Sequence, residues 1–253
     1  MSGPSQTALS TRSVLLSGLL GTEPPRLPVS RLIRLAALFG SSDGAVRTAL
    51  SRLVAAGELE ADDGWYELSP RLVARQERQD RSRRLERRPW DGSWRLLIVR
   101  DGRRERADRD ALRRALTAHR HGELREGVWG RPDNLVAEDP PEALGQCELL
   151  VGARPEDPVA LATGLWDLAG WTAGADELRE QLAPLHERIV AGDEQALRPG
   201  FELAAAVLRH LLDDPALPTE LHDDRGAAEL LREDYDAYDR AFRALLLDWL
   251  SGG

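Results

Sequence analysis

"SSDGAVRTALSRLVAAGELEADDGWYELSP", residues 41 to 70, decides the fold. Ser42 stands where a helix N-cap is wanted, and Asp43 places a negative charge in the first turn. Val46, Leu50, Leu53 and Val54 follow at i, i+4, i+7 and i+8, an inward apolar stripe. Arg47, Thr48, Ser51 and Arg52 fall largely on the other side, and Gly57 closes the helix. "ELEA" and "WYELS" then flank "DDG", the pattern of two strands joined by a glycine-bearing turn.

Towards the N-terminus, "VSRLIRLAALFG" puts Leu32, Ile33, Leu35, Ala36 and Phe39 on one helical face that Gly40 ends. "EPPRLP" breaks the chain with three prolines. "TRSVLLSGLLGT" reads as a short helix, and the first ten residues as a loose polar tail. Three helices followed by a hairpin is the order of a winged helix-turn-helix, assigned to residues 11–70. The third helix of such a unit offers its N-terminal half to base edges in the major groove. Arg47 suits guanine, Thr48 and Ser51 suit bases or phosphates, Arg52 suits phosphate, and Ser42 fixes the helix start. The bland alternative is a solvated amphipathic helix. The acidic tip "ADDG" should repel phosphate, so the wing is expected to contribute little.

The charge distribution supports the interface. The 253 residues carry a net charge of −9, but residues 1–106 hold 19 arginines against 13 acids. The remainder holds 15 arginines against 30 acids, and there is no lysine. A basic front beside an acidic rear is expected when only one part of a chain meets phosphate. Residues 71–88 alone carry 8 arginines, read as part of a charged linker over 71–92, with Arg75, Arg78, Arg81, Arg83 and Arg84 as secondary phosphate candidates.

Residues 93–173 read as a ferredoxin-like sandwich. "WRLLIVR", "GELREGVWG" and "CELLVGARP" are strands, "RERADRDALRRALTAHR" and "DPVALATGLWDLAGW" are helices, and a further strand near Leu135 is an option. Residues 174–253 read as helical, with a bend or restart at Pro184 and a loop at "PALPTELHDDRG". The fold class is therefore α+β, and the helical end is the candidate effector or dimerisation domain.

Other chemistries find little support. The five histidines and the single Cys147 lack metal-ligand spacing, and no cofactor is expected. No phosphate loop or nucleophile elbow is present, and Asp62/Asp63, Asp213/Asp214 and Asp223/Asp224 sit in turns or helix ends. One cysteine, no secretory signal and no long apolar run point to the cytoplasm. Five of the seven tryptophans fall in or beside the middle unit. They read as core, or, for Trp129 beside Arg131, as the lining of a pocket for an aromatic or acyl ligand.

The stretches "SGLLGT", "LIRLAALFG", "AVRTALSRLVAAGELE", "YELSP", "WDGSWRLLIV", "LREGVWGRPDNL", "GLWDL" and "DPALPTEL" occur in order from residue 17 to about residue 221. Together they resemble the PaaX family of bacterial transcriptional regulators. The resemblance implies a winged helix, a middle domain like small CRISPR-associated nucleases, and a helical C-terminal domain. It also implies a homodimer on palindromic double-stranded operator DNA, released by an effector such as an aryl- or acyl-CoA. Trp129, Arg131, Arg209 and His222 are the candidate ligand contacts. In the alternative reading, a metal-dependent nuclease, Asp101 in "IVRDG" is the candidate acid. After "DPALPTEL" the chain departs from the family pattern with "HDDRGAAEL", which puts His222 and Arg225 in that loop.

Overall fold

The computed structural model describes residues 10–73, 86–100, 105–136, 139–222, 224 and 226–252. The N-terminal region forms α1 (Thr11–Leu20), β1 (Arg26–Pro28), α2 (Val29–Ala37), α3 (Asp43–Ala55), β2 (Leu59–Asp62) and β3 (Trp65–Leu68). Ser10 and Ser42 cap α1 and α3 by accepting from the amides of Ser13 and Ala45. Asp63 and Gly64 turn the hairpin with φ of 43° and 78°, the pair of left-handed residues that a two-residue type I′ turn requires. The three strands run antiparallel in the order β1-β3-β2, the sheet of a winged helix.

Two details depart from the sequence reading. Within "EPPRLP", read only as a break, β1 pairs Leu27 with Tyr66 and Pro28 with Trp65. Three residues are too few to show alternation, and an edge strand tolerates a proline that cannot donate. Val54 is 37% exposed, whereas Val46, Leu50 and Leu53 are buried. Eight residues beyond Val46 the helix has turned about 80° from the stripe's axis, which carries Val54 off the core.

Residues 94–165 form β4 (Trp94–Val99), α4 (Arg106–Ala118), β5 (Gly122–Arg125), β6 (Val128–Pro132), α5 (Pro141–Leu144), β7 (Cys147–Ala153) and α6 (Pro158–Leu165). The antiparallel order β5-β6-β4-β7 is that of the ferredoxin-like sandwich. Between β6 and β7, α5 is a single turn that the sequence reading did not anticipate. "GELREGVWG", read as one strand, is a hairpin turned near Gly127 at φ 75°. Leu135 makes an isolated bridge to Arg87. Leu97, Leu112, Leu116, Trp129 and Cys147 form the core under α4.

The remaining helices are α7 (Leu168–Val190), α8 (Leu197–Leu212) and α9 (Ala227–Ser251). The helix expected across 157–171 is divided at Trp166, whose backbone is extended, and Asp167 accepts from the amide of Gly170 at 3.0 Å to start α7. Of the bend or restart expected at Pro184, the restart does not occur, since α7 continues through it. Among the described residues no helix is long and apolar enough to cross a membrane.

The chain folds as two units. The first comprises Met1–Gln79, Gln181–Ala205 and Tyr235–Gly253; the second comprises Asp80–Glu180 and Ala206–Asp234. In the first unit α1 and α2 are buried on two sides. Leu15, Leu19, Leu32 and Ala36 join Val46, Leu50, Leu53 and the strands in one core. Val14 and Leu35, on the same two helices, join Leu182, Ile189, Leu197, Tyr238, Phe242 and Leu246 in another.

Candidate nucleic-acid interface

α3 is held by its apolar side. Val46, Leu50 and Leu53 are at most 2% exposed, each contributing about 1.5–3 kcal/mol. Asp43 lies in the first turn, and Ser42 accepts from Ala45 at 3.3 Å. The left-handed Gly57, φ 68°, leads out of the helix towards β2. The opposite face is solvent-exposed and carries Arg47, Thr48, Ser51 and Arg52.

These four are not equivalent. The Thr48 hydroxyl donates to the carbonyl of Gly44 at 2.8 Å, so its proton is already used inside the helix. Arg47, Ser51 and Arg52 have no hydrogen bond or ion pair to another described residue. Neighbouring arginines are engaged instead. Arg12 forms a salt bridge with Glu58 at 2.5 Å, and Arg34 lies over the Trp249 ring at 4.3 Å. Arg26 reaches Asp62 at 3.3 Å and lies over Trp65 at 5.1 Å, so the acidic tip is partly neutralised by its own edge strand. The arginines at 75, 78, 81, 83 and 84 lie outside the described residues, as do Asp101 and Arg225.

The four candidate ligand contacts do not converge. Trp129 is 5% exposed in the core of the sandwich, with the Arg113 guanidinium 5.4 Å from its ring centre. Arg209 is exposed in the last turn of α8. His222 touches the Thr172 hydroxyl at 3.2 Å and lines a cleft with Arg87, Trp171, Asp214 and Thr219. That cleft is about 20 Å³, room for one or two waters.

Arg131 belongs to a buried ionic cluster that sequence reasoning missed. Its guanidinium lies 3.8 Å from Asp139, which also contacts His121 at 3.3 Å and Arg95 at 3.2 Å. Arg95 also reaches Asp133, which pairs with Arg88. Burial pulls the Arg131 guanidinium down to about 10, against the attraction of Asp139. Burial would raise the Asp139 carboxyl, but contacts with His121 and Arg95 hold it well below the usual range. His121 is pushed down by burial, which outweighs the opposing pull of Asp139. Only three-dimensional pairing reveals this cluster, since residues 88, 95, 121, 131, 133 and 139 share no periodicity. Among the described residues no group of three or more His, Cys, Asp or Glu is arranged to hold a metal.

A winged helix with an exposed basic helix face, followed by a ferredoxin-like sandwich, fits the class of transcriptional regulators. Family models identify the member: residues 8–72 match the PaaX-like protein family and residues 87–148 match the PaaX protein central Cas2-like domain. The chain is also similar to a solved structure, the uncharacterized protein Rv0674 from Mycobacterium tuberculosis. Identity is 40%, the TM-score is 0.75, and the match covers 94% of this chain and 98% of that one. No curated protein matches. The chain belongs to the PaaX-like family, and its domains support a role in transcriptional regulation.

Proposed function

We propose that this protein is a cytoplasmic repressor that binds operator DNA as a homodimer through α3 and releases it when a small effector, such as an aryl- or acyl-CoA, binds. Residues 11–70 form the DNA-binding unit, 71–92 the linker, 93–173 the middle domain, and 174–253 carry effector sensing. The observation that carries the reading is the polar face of α3. Arg47, Ser51 and Arg52 are exposed, and unpaired among the described residues, on a helix anchored by three buried side chains. Free guanidiniums on a rigid support lose little order on binding and keep all their donors for base edges and phosphates. A non-enzymatic role fits this family of regulators.

Fluorescence anisotropy on the protein's own promoter tests it. Arg47→Ala is expected to weaken specific binding by about 1–3 kcal/mol, and Arg52→Ala to reduce the slope of log affinity against log salt by about one. Affinity that ignores salt, or survives both substitutions, refutes the reading.

A further inference from the structure

We infer that the cleft beneath the loop between α8 and α9 binds the carboxylate of a small organic acid. The inference rests on the reading that a small effector is sensed, and it changes the class of that effector from a thioester to a free acid.

The cleft has fixed walls. On the loop side, Pro215, Ala216, Leu217 and Pro218 are buried, and Leu217 packs with Trp94, Ala162 and Leu168. The Asn134 amide donates to the Ala216 carbonyl at 2.8 Å, and Ala216 has φ 54°, a left-handed conformation at a residue other than glycine. Strained backbone of this kind persists only where its surroundings enforce it, and it gathers at ligand clamps. On the helix side, Trp171 Nε1 donates to the His210 carbonyl at 3.1 Å, and His210 Nε2 contacts the Trp171 carbonyl at 2.9 Å. The two rings stack 4.8 Å apart. A space of about 20 Å³ between such walls admits a group the size of one or two waters, which is that of a carboxylate and not of an acyl-CoA.

The polar lining selects an anion. Asp214 and Asp224 line the cleft, but both carboxylates are already engaged. Asp214 accepts from the Ala216 amide and from Arg232, and Asp224 accepts from the amides of Gly226 and Ala228. Donors remain. Arg87 gives one nitrogen to Glu229 at 3.0 Å and, among the described residues, offers no other nitrogen to an acid. Arg120, 7% exposed, feels the charges of Asp214, Arg232 and Arg87 together, so an incoming anion meets three guanidiniums around one buried carboxylate. The Thr172 hydroxyl donates to the Leu168 carbonyl at 3.0 Å, so His222 Nε2 is the donor in its contact with that hydroxyl, which fixes the ring on the wall. Thr219 adds a hydroxyl, while Leu168, Pro215 and Leu217 form an apolar side. That side suits the carbon next to a carboxylate and disfavours phosphate, which is polar all round.

Isothermal titration calorimetry of the full chain tests the proposal, with acetate and benzoate as probes against acetamide, benzamide, inorganic phosphate and benzoyl-CoA. The wild type is expected to bind at least one of the two acids about tenfold or more tightly than its amide, phosphate or the thioester. Arg87→Gln is expected to weaken acid binding about tenfold or more with unchanged circular dichroism. Should that variant lose its fold, Thr219→Val, at an exposed lining position, is the second probe and is expected to weaken binding about threefold or more. Arg209→Gln, exposed at the end of α8 and outside the lining, is expected to bind as the wild type does. No acid binding, an amide or phosphate bound as tightly as the acid, or binding unchanged in the lining variants overturns the proposal. A thioester that binds as tightly and needs Arg87 overturns it too. Acid binding that leaves promoter affinity unchanged supports the site and overturns the effector reading instead.

Discussion

Leu35 separates a self-sufficient winged helix from one completed by distant segments. In α2, Leu32 faces the winged-helix core while Leu35 faces Leu182, Tyr238, Phe242 and Leu246 of the C-terminal helices; both leucines are fully buried. Truncating a buried leucine costs about 2–5 kcal/mol. In the full chain, Leu32→Ala and Leu35→Ala are therefore expected to cost similar amounts. In a fragment spanning residues 10–73, Leu32→Ala keeps its cost. Leu35→Ala falls below about 1 kcal/mol, because there the side chain retains only local packing such as that over Gly18. Urea titration followed by circular dichroism measures the fragment. In the full chain, hydrogen exchange of α3 amides is the better probe, since two units need not unfold together. An equal cost for Leu35→Ala in fragment and full chain refutes the reasoning. The fragment itself, with Val14 and Leu35 uncovered, loses about 3–6 kcal/mol of burial and should be marginal.

Tyr238 is fully buried and its hydroxyl has no hydrogen-bond partner among the described residues, so Tyr238→Phe is expected to leave stability unchanged or to raise it in thermal melts. Gly200→Ala is expected to destabilise by about 1–3 kcal/mol, because a Cβ there would lie 2.3 Å from that hydroxyl, and adding Tyr238→Phe should recover part of the loss. His121 is faced by Asp139, Arg131 and His119, and burial holds it neutral in the folded state. The unfolded chain takes up the proton first, so stability falls as pH drops through about 6.5 towards the lowered folded value. His121→Asn should flatten that decline in melts between pH 7.5 and 5, and an unchanged slope counts against it. At the wing, Asp62→Asn with Asp63→Asn should alter promoter affinity by less than about 1 kcal/mol, because Asp62 is exposed and already engaged by Arg26.

The elements with strong periodicity were legible in the sequence. Ser42, the stripe at 46, 50 and 53, Gly57 and the Asp63-Gly64 turn each obey a local rule, and the structure keeps all of them. The elements that escaped are short or set by tertiary partners. β1 exists because β3 offers an edge, α5 is one turn long, and the helix break falls at Asp167, whose side chain caps the next start, and not at Pro184. The double burial of α1 and α2 was hidden for another reason. Val14 and Leu35 look like the flanks of one stripe, and only the arrival of residues 181–205 and 235–253 makes them a second core.

The candidate site divides along the same line. A reading helix advertises itself because its function requires unpaired polar residues on a locally determined element. Arg47 and Arg52 have no ion-pair partner among the described residues. Thr48 shows the limit: its hydroxyl bonds to Gly44 within the same helix, which shifts the expected base contacts towards Arg47 and Ser51. A ligand pocket has no such local signature. Trp129 and Arg131 are two residues apart on β6 and both inward, and one becomes core while the other joins an ionic cluster with Asp139.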